Sequence, residues 1–337
     1  MAWTAALDAV IGNPTKASDY DKLVANAEFL QTKADVDHDF DVATGTGYHN
    51  PEAIGLDGVV GGARFTTLQA GDDELDAADY TMWVKQATYA AGLTVSTNDA
   101  YVFVEPGTII QAAIVLSGNN VTLELGAGCD IQALVTLSGT GCQLICHNGC
   151  DLDGIVLSGA QCLVDGGGWE TLVDGGVARH AISVTASLVT IQNISAKTTA
   201  GGGTGFDAIN AENTTATYLT VRGVYIPGSD RIGIISESND MIVESCVIRA
   251  CDANSIQVGS GSGGARSVIR GNNTDGAGSN ELSIQGAGDN FNVTGNQFGG
   301  AIAIAAGGDS GCMVGNTHDD AITDSGTGNT VASNEQY

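Results

Sequence analysis

A five-residue phrase returns along this chain at nearly fixed spacing. Ile114-Val115-Leu116-Ser117-Gly118 comes back as Val135-Thr136-Leu137-Ser138-Gly139 after 21 residues and as Ile155-Val156-Leu157-Ser158-Gly159 after 20 more. Within the same period, Gly128-Cys129-Asp130-Ile131 matches Gly149-Cys150-Asp151-Leu152. A period of this length means one supersecondary unit that buries its apolar face only by stacking on copies of itself.

Further on the repeat degenerates but persists. Strand-like steps end in turns at Ile191-Gln192-Asn193, Val221-Arg222-Gly223, Val243-Glu244-Ser245, Ile269-Arg270-Gly271-Asn272, Val293-Thr294-Gly295-Asn296, Val314-Gly315-Asn316 and Val331-Ala332-Ser333-Asn334. A second strand per turn is seeded by Ile182, Ile209, Ile234, Ile256, Ile284, Ile304 and Ile322. Gly and Asn suit such corners because both tolerate positive φ. The pattern predicts an all-β, right-handed parallel β-helix, a solenoid of roughly ten rungs stacked at about 4.8 Å into a rod of about 50 Å.

Composition agrees. Glycine fills 48 of 337 positions without the three-residue period of collagen, and 43% hydrophobic residues argue against disorder. The net charge is −27, and no Lys or Arg occurs between Lys85 and Arg179 or after Arg270. A chain so acidic repels phosphate, so nucleic acid is not an expected partner. No stretch has the roughly 18 apolar residues of a membrane span, and Met1-Ala2-Trp3-Thr4 does not open a signal peptide, so no membrane insertion is expected. Of the 39 acids, 22 follow residue 105 beside only 7 bases, which disfavours an anionic ligand unless cations bridge.

Three regions emerge: an N-terminal helix and connector (1–50), a linker with a capping helix (51–105) and the β-helix (106–337). Ser18 and Asp21 frame a capping box, after which Tyr20, Leu23, Ala27, Leu30 and Ala34 recur at heptad spacing. That seam reads either as a self-associating helix or as one amphipathic helix on a small domain. Asp35–Asp41 and Ala43–His49 read as an extended connector. His38 and His49 could meet symmetry mates around a metal, although a solvated linker is the simpler reading. Residues 72–92 read as a second helix, with acids in its first turn, apolar Ala78, Met82 and Tyr89, and Gly92 at its end.

The helix ending near Ala91, the Tyr101-Val102-Phe103-Val104-Glu105-Pro106-Gly107-Thr108 stretch and the rungs that follow resemble the opening of right-handed parallel β-helix proteins of the pectate-lyase-like superfamily. The N-terminal segment, Pro14-Thr15-Lys16 through Asp37-His38-Asp39 and Thr44-Gly45-Thr46-Gly47-Tyr48-His49, resembles virion-proximal regions of bacteriophage tail fibres and tail spikes. That second resemblance implies a short α-helical attachment segment (1–50) gripping other virion proteins, a homotrimer, host-surface polysaccharide as ligand, and a place on the virion exterior after synthesis in the host cytoplasm. A head fibre or capsid decoration protein would use the same rod without chemistry.

Two groups of residues could act on a glycan. Asp207, Asp230 and Asp252 precede comparable strands and form a possible acidic column for a polysaccharide lyase or hydrolase, with Arg222, Arg231 and Arg249 in the same turns to orient an anionic sugar. Asp is also an ordinary turn former, which is the simpler account. A second acidic group, Asp151, Asp153, Asp165, Glu170 and Asp174, surrounds the Gly166-Gly167-Gly168-Trp169 loop. There Trp169 either stacks on a sugar ring or covers an apolar flank. The eight cysteines are expected as reduced thiols stacked on adjacent rungs, Cys129 on Cys150 and Cys142 on Cys162, rather than as a zinc cluster. No metal or other cofactor is implied: Gly201-Gly202-Gly203-Thr204-Gly205 lacks the Lys-Ser/Thr of a phosphate loop.

Overall fold

The structure is a computed structural model that describes residues 38–41, 46–49, 58–60, 67–72, 81–177, 179–199, 205–212, 217–259, 265–286 and 288–336. Residues 1–57 and 58–337 are separate units. The heptad seam of Tyr20–Ala34 and its capping box lie outside the described residues. In the first unit, His38–Asp41 and Thr46–His49 form an antiparallel hairpin with His38 opposite His49. The expected extended connector is therefore folded back on itself.

The second unit is a parallel β-solenoid. Among the described residues three sheets run its length, with 13, 12 and 11 strands, each strand paired in parallel with its equivalents one turn earlier and later. About eleven complete turns result. The first sheet contains strands such as Thr122–Leu125 and Gln143–Cys146, the second Asp130–Ile131 and Asp151–Leu152, the third Ile114–Leu116, Val135–Leu137 and Ile155–Leu157. The 20–21-residue repeat is the third sheet read in sequence: Val135 lies opposite Ile114 on one side and Ile155 on the other.

Alternation inside each short strand builds the core. In Thr122–Leu125 the pattern points Leu123 and Leu125 inward, and in Val135–Leu137 the two ends are buried. Stacking then lays Ile on Ile and Val on Val in columns closed from water. All seven turns that end the first-sheet steps carry a positive φ, at Asn193, Gly223, Ser245, Gly271, Gly295, Gly315 and Ser333. A second corner, between the third and first sheets, repeats the device once per turn from Asp99 through Asn120 and Gly141 to Gly328.

Asparagine plays a different part from the one expected in the last corners. At Gly271-Asn272, Gly295-Asn296 and Gly315-Asn316 the glycine takes the left-handed conformation, and the asparagine side chain is buried. Each carboxamide oxygen accepts the backbone N–H of the residue one turn earlier: Asn272 from Cys246 (2.9 Å), Asn296 from Asn272 (2.9 Å), Asn316 from Asn296 (3.0 Å) and Asn334 from Asn316 (3.0 Å). Each Nδ2 of Asn272, Asn296 and Asn316 donates to the next carboxamide in the ladder. The ladder satisfies buried backbone groups that a corner would otherwise leave unpaired.

The described part of residues 72–92 departs from the expected helix, residues 73–80 lying outside the described residues. The helix described is the five-residue Leu68–Asp72, and Thr81–Val84 and Thr88–Tyr89 are strands of the first and second sheets. Met82 and Val84 are buried and pair in register with Val102 and Val104. Ala78 and Met82, four apart in the sequence, fit both periodicities, and the neighbouring turn supplies backbone partners for a strand at Thr81–Val84. The third-sheet series also slips. Ile284 lies opposite Val258, not Ile256, a two-residue shift that leaves the inward face unchanged.

The cysteines stack as expected. Cys129, Cys142, Cys146, Cys150, Cys162, Cys246 and Cys251 are buried and unbridged. Thiols donate to corner carbonyls of neighbouring turns, Cys142 to Gly118 (3.1 Å) and Cys150 to Gly126 (3.3 Å). Burial pushes the Cys246 and Cys251 thiols up to about 12. A thiol reagent added to native protein is therefore expected to label Cys312, the half-buried one, and to reach the other seven only on unfolding. Rapid native labelling of several thiols would contradict this packing.

Candidate functional site

Trp169 stands on the outer side of the second sheet, in the loop that joins Leu163–Asp165 to Leu172–Asp174. Asp165 shapes the loop. Its carboxylate accepts the Gly167 N–H (3.0 Å), Gln192 Nε2 (2.7 Å) and Asn193 Nδ2 (3.2 Å). Burial alone would raise its pKa, but these hydrogen bonds outweigh it and hold the group below the ordinary aspartate value. Gly167 has φ +67, and a Cβ there would lie 2.4 Å from the Cys146 carbonyl, so no other residue fits the loop floor without displacing backbone.

Trp169 is held at its ring and at its backbone. Its Nε1 donates to the Gly223 carbonyl (2.6 Å), and the Trp169 carbonyl accepts Ser195 Oγ (2.6 Å). The ring lies 5.6 Å from Tyr225, tilted 34°. Because Ser195 pairs with both Leu172 and Tyr225, the indole reaches across one rung to the next. Half of Trp169 is exposed (50%). A pinned indole with an open face and a tyrosine beside it is a preorganised stacking surface, and it loses little rotamer entropy when a ring settles on it.

Charge around this surface is mostly negative. Asp174 pairs with Lys197 (3.0 Å). Asp130 and Asp151 are in register on adjacent strands, and the Asp151 carboxyl is raised by burial and by the neighbouring Asp130, Asp174 and Asp153 charges. Glu170 is exposed beside Trp169. Arg222 is not available to a ligand in the same way: it and Arg270 clamp Glu244 from the two flanking strands of the first sheet. Those bonds, with Arg270 foremost, hold Glu244 below its ordinary value.

No protein-family model, curated protein or solved structure matches the chain. Site chemistry therefore rests on geometry alone.

The three aspartates of the acidic column occupy different environments. A bridge between Ser229 and Cys251 places Asp230 and Asp252 at equivalent points of adjacent turns, Asp230 half-buried and Asp252 exposed. Asp207 is two residues out of step. Counted from the Ile209–Ile234 pairing it lies opposite Ile232, and its side chain is fully buried (0%). Arg231 Nε donates to Oδ1 at 2.7 Å and Nη2 to Oδ2, Asn210 Nδ2 to Oδ2 at 2.7 Å, and the Ile232 N–H to Oδ1 at 3.1 Å. Burial works to raise this carboxyl, yet the bonds from Arg231, His180 and Asn210 prevail and lower it. A glycosidic general acid needs a raised pKa and a proton to give, and Asp207 has neither.

Arg249 sits elsewhere, at the edge of a polar hollow on the second sheet. Tyr225 and the hollow's Asn273 and Gln297 were not legible as site residues, because their alignment with Trp169 depends on strand register. The nearest sequence signal was Gly223, a corner glycine whose carbonyl holds the indole. Among the described residues no group of three or more His, Cys, Asp or Glu is arranged to hold a metal ion.

Proposed function

We propose that this chain is a rod-like virion appendage of the tail-spike or tail-fibre type, homotrimeric and attached through residues 1–50, that recognises host-surface glycan without cleaving it. The observation that carries recognition is the pinned, half-exposed Trp169 stacked against Tyr225 on a rigid parallel sheet. Stacking on a pyranose face is what such a pair does well, and a solenoid holds it without rearrangement. The buried ion pair of Asp207 with Arg231 supports recognition over hydrolysis, since it removes one member of the acidic column from the surface. Placement on a virion is supported by the likeness of the N-terminal segment to virion-proximal regions of phage fibres.

The test is retention of host surface polysaccharide by the full chain, with reducing ends and unsaturated sugars assayed in the same tube. Binding without release is expected, and Trp169→Ala should weaken it by about ten- to a hundredfold. Release of sugar ends that survives Trp169→Ala but disappears with Asp230→Asn would establish an enzyme instead. Sedimentation as a monomer at micromolar concentration would remove the trimer.

A further inference from the structure

The Trp169–Tyr225 pair and the polar hollow share one face. In the second sheet the outward position runs Tyr225, Val247, Asn273, Gln297, each in register with the next. From Tyr225 to Gln297 is three strand spacings, about 14 Å. The hollow, about 180 Å³, opens at the far end of this row and is lined by Arg249, Asn273, Asp275, Gln297, Gly299 and Asp319.

Its polar groups form an ordered set. Arg249 Nη1 donates to Asn273 Oδ1 (2.9 Å), and Asn273 Nδ2 donates to Gln297 Oε1 (3.3 Å), which leaves the Gln297 amide N–H groups pointing the chain of donors onward. The exposed carboxylates of Asp275 and Asp319 accept no hydrogen bond from any described residue. Donors and acceptors thus stand side by side, which is the requirement for pairs of vicinal hydroxyls. Gly299 gives the hollow its depth: a Cβ there would lie 2.7 Å from Asp275 Oδ1.

We infer that this row is one binding track for an uncharged oligosaccharide lying along the solenoid axis, stacked at Trp169–Tyr225 and hydrogen-bonded in the Arg249–Asp319 hollow. The inference rests on the glycan-recognition reading and adds the ligand's charge, length and direction. Length follows from the span, which exceeds a single sugar ring. Neutrality follows from the flanking charges. Asp275 and Asp319 at one end and Asp151 and Asp153 at the other repel carboxylated sugars, while Lys197 is paired with Asp174 and the charge of Arg249 is outnumbered in the hollow by the two carboxylates. Val247, between the two ends, offers an apolar surface to the less polar face of the sugar chain.

The probes are labelled hexasaccharides of glucose, galactose, mannose, N-acetylglucosamine and N-acetylgalactosamine, with hexagalacturonate as the acidic counterpart, each titrated against the full chain. A neutral hexasaccharide is expected to bind, its disaccharide at least about tenfold more weakly, and hexagalacturonate about a hundredfold more weakly. Asn273→Ala and Gly299→Ala, which disturb only partly exposed groups of the hollow, should each cost about tenfold in Kd. If Trp169→Ala abolishes binding while both hollow variants leave it unchanged, the track is refuted and glycan recognition stands. Hexagalacturonate binding as tightly as the neutral chains would also refute the track alone. A folded protein that binds none of the six refutes both.

Discussion

Asn296→Asp should destabilise the solenoid by about 4 kcal/mol at neutral pH, with the damage confined to the C-terminal turns. The side chain is 2% exposed and makes every bond its chemistry allows. Its Nδ2 donates to the Asn316 carboxamide (2.9 Å), the Ile269 carbonyl (2.9 Å) and the Thr294 carbonyl (3.2 Å). Its Oδ1 accepts both the backbone N–H and the Nδ2 of Asn272, each at 2.9 Å. Aspartate keeps the acceptor but turns the donor into a second oxygen facing two backbone carbonyls and the Asn316 carboxamide oxygen. Either the charge stays buried and unpaired or the carboxyl takes a proton at the cost of a raised pKa. Asn296→Ala removes the same bonds without the charge and should cost about 2–3 kcal/mol, chiefly because the Asn272 N–H loses its acceptor and Asn272 Nδ2 keeps only the Val243 carbonyl. Stability in a solenoid is a sum of nearest-neighbour terms, so hydrogen exchange should accelerate over residues 265–336 and stay slow over 101–165. A loss below about 1 kcal/mol for Asn296→Asp, or exchange rising equally at both ends, would show that the ladder does not hold the corners.

What was legible in the sequence follows from how much of each element is apolar. Third-sheet strands such as Ile114–Leu116 and Val135–Leu137 bury two residues out of three, so the repeat stands out by eye. Second-sheet strands such as Asp130–Ile131 and Thr317–His318 bury one residue out of two, and their outward residue changes from turn to turn. That is why two strands per turn were readable and the third was not. The corners were located correctly at all seven places, but the reason differed at the last of them. Glycine supplies the backbone conformation there, and asparagine supplies a buried carboxamide, a role that no propensity scale encodes. Trp169 was recognisable as a loop tryptophan among glycines. Its partner Tyr225 lies 56 positions on, and only the register of two intervening strand pairings brings them together.

Asp207→Asn separates the structural role of that residue from a catalytic one. The variant should lose about 2–3 kcal/mol. Breaking a fully buried ion pair costs about 3–5 kcal/mol, but Arg231 is 35% exposed and keeps Glu212 at 3.1 Å, so part of its charge remains solvated and paired. Asparagine retains one oxygen for the Ile232 N–H, while its amide group must face the donors of Arg231 or Asn210. The pH dependence has a definite sign. In the folded chain the Asp207 carboxyl lies below the unfolded value of about 3.9, so its contribution is present at neutral pH and is lost as pH falls through the lower, folded pKa. The gap in unfolding midpoint between native protein and Asp207→Asn should therefore stay constant above about pH 5 and close only in strong acid. Coupling gives an independent check: Asp207→Asn with Arg231→Met should be more stable than the sum of the two single losses, because neither variant then leaves a partner unpaired. A protein that keeps its full midpoint with Asp207→Asn, yet loses the release of sugar ends from host polysaccharide, would return Asp207 to the acidic column as a catalytic group and overturn recognition without cleavage.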